Sequence, residues 1–127
     1  MIVVSDTTPI SSLLKIDRIE ILHLLFSSII IPPSVQSELM KGFSNDPALS
    51  IFLSYSWIKI VAPQQKNAVA ELLKLLDAGE SEAIVLAKEL NADHLLIDET
   101  DGRKIAVQQG LHIIGTAAYC SLQKRKL

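Results

Sequence analysis

Apolar residues along the chain fall into short runs that alternate with stretches of helical spacing. The runs Ile2-Val3-Val4, Ile29-Ile30-Ile31 and Leu95-Leu96-Ile97 are uninterrupted, and residues 58–61 and 111–114 each carry one polar position. Runs of this kind suit strands buried on both faces of a parallel sheet. Pro63 after the third run marks it as an edge strand. Helices are expected between the runs. The first opens after Asp6, with Thr8 as N-cap and Pro9 as first helical residue. Others are expected over 16–26, around Val35, Leu39 and Met40 with Ser34 as cap, over 49–57 after the Asn45-Asp46-Pro47 turn, and over 68–76. The spacing then predicts a helix from Gly79 to Leu90, one carrying Ile105, Ala106 and Val107 with Thr100 or Asp101 as cap, and a terminal helix over 117–127. Asp77-Ala78-Gly79 reads as the end of the 68–76 helix. Strands alternating with helices predict an α/β fold with a mainly parallel central sheet, in one domain over residues 1–127.

Two of these strands lead into aspartate. Ile2-Val3-Val4 passes through Ser5 to Asp6, and Leu95-Leu96-Ile97 runs directly into Asp98. In open α/β sheets the ligand lies just beyond the carboxyl ends of the strands, so these carboxylates are candidates for one shared site. At roughly 100° per residue, Glu80 shares a stripe with Ala83, Ile84, Ala87 and Leu90 and is expected to face inward, whereas Glu82 falls with Glu89 on a solvated face. A carboxylate buried ionised and alone is costly, so an inward Glu80 calls for a partner or a cation, although its place in a first helical turn is favoured by the dipole in any case. Glu38 flanks Val35 and Leu39, placed either to point along the sheet toward Asp6 or to remain at the surface. Thr7 and Thr8 add hydroxyls beside Asp6, whose alternative role is support of the helix start. Asp101 lies within reach of the Asp98 strand end and equally suits a helix cap.

Composition narrows the class. A chain of 127 residues with 49% hydrophobic and 20% charged positions can bury a core without a metal or disulfide, and it is not a disordered chain. A formal net charge of -2 does not mark a nucleic-acid binder. Cys120 is the sole cysteine, which excludes an intrachain disulfide and fits a reducing compartment. The most apolar stretch, 19–31, is broken by Glu20, His23 and two serines, so neither a signal peptide nor a membrane span is expected, and a cytoplasmic location is. The basic tip Lys124-Arg125-Lys126 matches a C-terminal helix dipole.

The candidate site holds carboxylates and hydroxyls without a convergent histidine or cysteine. Oxygen donors of this kind suit Mg2+ or Mn2+ rather than zinc, and clustered acids around such ions suit phosphodiester hydrolysis. GxxxxGK[ST] and GxGxxG motifs are absent, so nucleotide-motor and dinucleotide-cofactor chemistry lack their phosphate cradle.

The segments VVSDTTPI, IIIPPSVQSEL, AGESEAIVLAKEL followed by NADHLLIDE and TDGRKIA, and LHIIGT resemble, in order and spacing, the PIN-domain family, specifically its small prokaryotic branch similar to VapC toxins. That resemblance spans nearly the whole chain. It implies a three-layer α/β/α domain with strand order 3-2-1-4-5, a Mg2+- or Mn2+-dependent ribonuclease, and a toxin neutralised by a small antitoxin. Carried over by position, it implies catalytic acids at Asp6, Glu38, Glu80 and Asp98, and metal ligation by Asp6, Glu80, Asp98 and Asp101. Substrate contacts are expected at Thr7, Thr8, Arg103, Lys104 and Thr116, with RNA, an antitoxin and a second copy of the chain as partners and no membrane association. The helix-start acid is usually Asp in the toxins, and here Glu80 and Glu82 compete for it, the facing favouring Glu80. Two other readings are weighed: a non-catalytic nucleic-acid- or protein-binding PIN-like module, and a receiver-like signalling domain. The second lacks an acidic pair after the first strand and a lysine after the last.

Overall fold

The computed structural model describes residues 1–115. Thr116, Cys120, the 117–127 helix and the Lys124-Arg125-Lys126 tip lie outside them. Five strands, β1 (Val3–Ser5), β2 (Ile29–Ile31), β3 (Ile58–Ile60), β4 (His94–Leu96) and β5 (Ile113–Ile114), alternate with α1 (Thr7–Lys15), α2 (Glu20–Phe26), α3 (Pro33–Gly42), α4 (Pro47–Ser54), α5 (Lys66–Leu72), α6 (Ala78–Glu89) and α7 (Thr100–Gln108). The sheet order is β3-β2-β1-β4-β5 with every pairing parallel, so β1 and β4 lie side by side at its centre.

The period-2 alternation of strand side chains distributes the core to both faces. Val3, Ile29, Ile31, Ile58 and Leu96 pack with residues of α1 to α4, including Leu13, Leu22, Leu39 and Phe52. Val4, Leu95 and Ile97 pack with Leu72, Ile84, Leu86 and Ala106 from α5, α6 and α7. The sheet is therefore covered on both sides, which is why its central strands read as unbroken apolar runs.

Several expected boundaries move. Thr8 is not an N-cap: α1 begins at Thr7, and Asp6 occupies the cap position in extended conformation without capping through its side chain. The 16–26 helix is cut short because Asp17 takes a left-handed φ of 56°, and helix resumes at Glu20. Ser34 does not cap α3, which starts at Pro33; its N–H is instead bonded by Glu82. Residues 49–57 shift to Pro47–Ser54, capped by Asp46, which accepts from the Ala48 N–H at 2.9 Å. The 68–76 helix ends at Leu72, and Glu99 rather than Thr100 or Asp101 takes the cap position of α7.

The largest correction concerns Asp77. It does not close α5 but opens α6, in a capping box with Glu80: its carboxylate accepts from the Glu80 N–H at 2.8 Å while Glu80 Oε1 accepts from the Asp77 N–H at 3.4 Å. Glu82 and Glu89 also depart from the solvated face expected for them. Glu82 Oε1 accepts from the Ser34 N–H at 2.9 Å, and the Glu89 carboxylate accepts from the N–H groups of Gln64 and Gln65 at 2.8 to 3.0 Å. Both meet backbone donors at or just before helix starts, where N–H groups have no partner within the helix.

Candidate metal centre

The adjacency of β1 and β4 decides where the acids fall. Ser5 pairs with Leu96, and the Asp6 N–H donates to the Leu96 carbonyl at 2.9 Å, so Asp6 leaves the sheet beside the strand that leads to Asp98. Asp6 is only 2% exposed, and its Oδ1 is buried without a hydrogen-bond partner. Its carboxyl is pushed up to about 7, chiefly by burial, with the Thr7 N–H pulling it down and the charges of Glu80, Asp77 and Glu38 adding to the rise.

Glu38 reaches this point from α3 on two anchors. The Thr7 hydroxyl donates to Glu38 Oε2, and the Gly79 N–H donates to Oε1 at 3.2 Å. Gly79 has to be glycine for this: a Cβ there would stand 2.5 Å from Glu38 Oε2. Asp77 arrives from the start of α6. Ligand oxygens of Asp6, Glu38 and Asp77 all lie within 4.8 Å of one another, a spacing that one cation could bridge.

Glu80 faces inward and is 7% exposed. Its Oε1 is engaged by the Asp77 N–H, and its Oε2 packs against Gly102 of α7, where a Cβ would stand 2.6 Å away. Burial, then the Asp77 charge, raise its carboxyl to about 7, with Glu99 adding to the rise. Asp98 is half-buried past the end of β4 and lies outside the Asp6–Glu38–Asp77 triad. Its Oδ1 faces Gly115, as does the Arg103 guanidinium, which also donates to the Ile97 carbonyl at 3.4 Å. Asp101 is exposed on the first turn of α7, and with Asp77, Glu80 and Glu99 it lines an open cleft walled by Leu73, Leu75 and Leu76. Thr8 is half-buried and Lys104 exposed. Thr116 lies outside the described residues.

Fold and site together call for comparison with known proteins. Residues 2–126 match the family model DUF3368, a PIN domain. The chain belongs to this PIN-domain family. Among solved structures, it is similar to a PilT N-terminus domain protein from the hyperthermophilic archaeon Sulfolobus solfataricus P2, with a TM-score of 0.72 and 22% identity over 95% of this chain and 92% of that one. It is also similar to VapBC2 from Rickettsia felis, solved bound to a DNA fragment from the promoter, with a TM-score of 0.67 and 20% identity over 91% of this chain and 98% of that one. No curated protein sequence matches it significantly. The strand order 3-2-1-4-5 that the resemblance implies is the order observed in this PIN domain.

Asp77 is the acid that sequence reading missed. Its signal was present, since Asp77 followed three residues later by Glu80 is the pattern of a capping box. The apolar periodicity running into Leu76 drew the residue into the preceding helix instead.

Proposed function

We propose that this PIN domain is a divalent-metal-dependent endoribonuclease using Mg2+ or Mn2+, and the toxin of a toxin–antitoxin pair. The observation that carries the reading is the convergence of Asp6, Glu38 and Asp77, together with a buried Asp6 oxygen that has no hydrogen-bond partner. Buried polar atoms are normally satisfied, and an oxygen-only donor set in which Asp6 is raised to about 7, beside a Glu80 raised likewise, fits a hard cation as the missing partner. When bound, such an ion supplies an activated water and offsets charge on the scissile phosphate.

The chain's own residues supply the rest. Asp6, Glu38 and Asp77 would hold the ion, with Glu80 behind them and Asp98 flanking from the end of β4. Thr7 and Gly79 fix the orientation of Glu38. Glu80 holds a proton close to neutral pH and releases it when positive charge arrives nearby. Without a cation the cleft is a concentration of negative charge that repels a phosphate backbone, so RNA binding itself depends on the ion. Arg103 and Lys104 on α7, with Thr7, Thr8 and Thr116, are the proposed substrate contacts. A small antitoxin is the proposed protein partner, a reading supported by the likeness to a VapBC assembly, and a homodimer the proposed assembly. No helix among the described residues is long and apolar enough to cross a membrane, and a cytoplasmic location is proposed.

The test is incubation of purified protein with structured RNA and with single-stranded DNA, in Mg2+ or Mn2+ and in chelator, beside Asp6→Asn. The reading expects RNA cleavage that disappears in chelator and in the variant. Cleavage persisting in either, or cleavage confined to DNA, overturns it.

A further inference from the structure

The opposite end of the sheet carries a different set of donors. Leu95 of β4 stands opposite Ile113 of β5, so His94 and His112 occupy the preceding register position, where the Leu95 N–H donates to the His112 carbonyl at 2.9 Å. Parallel neighbours in one register direct their side chains to the same face. Here two imidazoles meet, with Nδ1 of His94 2.7 Å from Nδ1 of His112, ring centroids 4.7 Å apart and planes inclined by 54°. Phe26 flanks His94 with 6.2 Å between ring centroids. Asp93 secures the entry to β4 by accepting from the Ile2 N–H at 2.6 Å while donating its own N–H to the Ile2 carbonyl at 2.7 Å. Backbone pairing brings the two rings to one face, and the Nδ1–Nδ1 contact closes the remaining distance.

Two nitrogens this close share at most one proton. Burial and the neighbouring His112 push His94 below the usual histidine range, against an upward push from Asp93. Neutral imidazole nitrogens are the form that ligates metals.

We propose that His94 and His112 form a bidentate site for a nitrogen-preferring divalent transition-metal ion, Cu2+ or Ni2+, at the amino-terminal end of the sheet. Metal–imidazole bonds of about 2.0–2.1 Å subtending a right angle place two nitrogens about 2.9 Å apart, close to the observed spacing, whereas a tetrahedral angle needs about 3.3 Å. Adjacent positions at a right angle belong to square-planar or octahedral coordination, which Cu2+ and Ni2+ favour over Zn2+. On binding, the imidazole that carried the shared Nδ1 proton moves it to Nε2, so both Nδ1 lone pairs face the ion and the pair's net charge is unchanged. Water completes the coordination, and the Asp93 carboxylate adds a favourable field. This site and the acid cluster bracket β4, nitrogen donors at its start and oxygen donors beyond its end, so either can be removed without the other.

The experiment is a calorimetric titration of tag-free, chelator-stripped protein with Cu2+ and with Ni2+ near neutral pH, in the parent, His94→Gln, His112→Gln and Asp6→Asn. Paramagnetic resonance of the Cu2+-loaded parent counts coordinated nitrogens even if a histidine variant fails to fold. The proposal expects one nitrogen-ligated equivalent that persists in Asp6→Asn, where the acid cluster has lost a ligand, two coordinated imidazole nitrogens, and affinity for that equivalent lower by on the order of tenfold or more in each histidine variant. No binding, binding equal in the histidine variants, binding lost in Asp6→Asn, or a spectrum without two nitrogens overturns it.

Discussion

Four carboxylates around α6 are put to opposite uses. Glu82 and Glu89 accept hydrogen bonds from backbone N–H groups near the starts of α3 and α5, at Ser34 and at Gln64 and Gln65. Asp6 and Glu80 are buried against other acids, and one Asp6 oxygen has no partner. The first pair ties helices together and stabilises the fold. The second stores repulsion and desolvation at the carboxyl end of the central strands, at an expense that only a cation or a proton relieves. Residue type is therefore a poor guide to role here; what separates the pairs is whether the carboxylate is also buried against other acids, as Asp6 and Glu80 are although each accepts one backbone N–H.

The difference is broken most completely by Asp6→Asn. It removes a ligand and a buried charge together, so RNA cleavage is expected to fall by on the order of a hundredfold or more in a gel-based assay, while the apo protein gains thermal stability. Gly79→Ala comes next. Its Cβ meets the movable end of Glu38, so the carboxylate swings away, cleavage falls roughly tenfold to a hundredfold from the misplacement, and the melting temperature changes little. On the satisfied side, Glu89→Ala strips three hydrogen bonds from the start of α5 and is expected to lose about 1–2 kcal/mol in denaturant unfolding, with cleavage per folded molecule unchanged. Glu82→Gln is the smallest change: the amide oxygen still accepts from Ser34, and both activity and stability stay close to the parent's.

pH sharpens the same contrast. Asp6 and Glu80 ionise near 4 when unfolded but near 7 when folded. Their contribution to stability is therefore complete below about pH 4 and is lost as pH rises to about 7. Apo protein should melt at a higher temperature near pH 5 than near pH 7.5, by calorimetry. His94 acts in the opposite sense, because its lowered folded pKa costs stability as pH falls through the usual histidine range. The Asp6 part is thus the difference between parent and Asp6→Asn, in which the histidine contribution is common.

Much of this was legible from the residues. Ile29-Ile30-Ile31 and Leu95-Leu96-Ile97 read as buried strands because burial on both faces leaves no polar position, and Glu80 read as inward because its helical stripe is apolar. Strand order came from resemblance, since pairing between distant segments leaves no local trace. Helix starts were the weak point. Asp6, Pro32 and Glu99 take cap positions without a side-chain cap, so the expected Thr8, Ser34 and Thr100 or Asp101 had nothing local to enforce them. Asp77 and Glu82 were misread for a related reason: their partners are a capping box at a helix junction and an N–H forty-eight residues away. That Asp77 joins Asp6 and Glu38 is tertiary and could not be seen in the order of residues alone.

The central claim is that the acids at the carboxyl end of β1 are left unsatisfied because a divalent ion completes them. The thermal midpoint of chelator-stripped protein near pH 7.5, measured with and without millimolar Mn2+ in the parent and in Asp6→Asn, tests it most directly. The account predicts a lower apo midpoint for the parent than for the variant, and a rise with Mn2+ that is large in the parent and small or absent in Asp6→Asn. A parent indifferent to Mn2+, together with an Asp6→Asn variant less stable than the parent in chelator, would contradict it and make Asp6 a structural residue at a helix start.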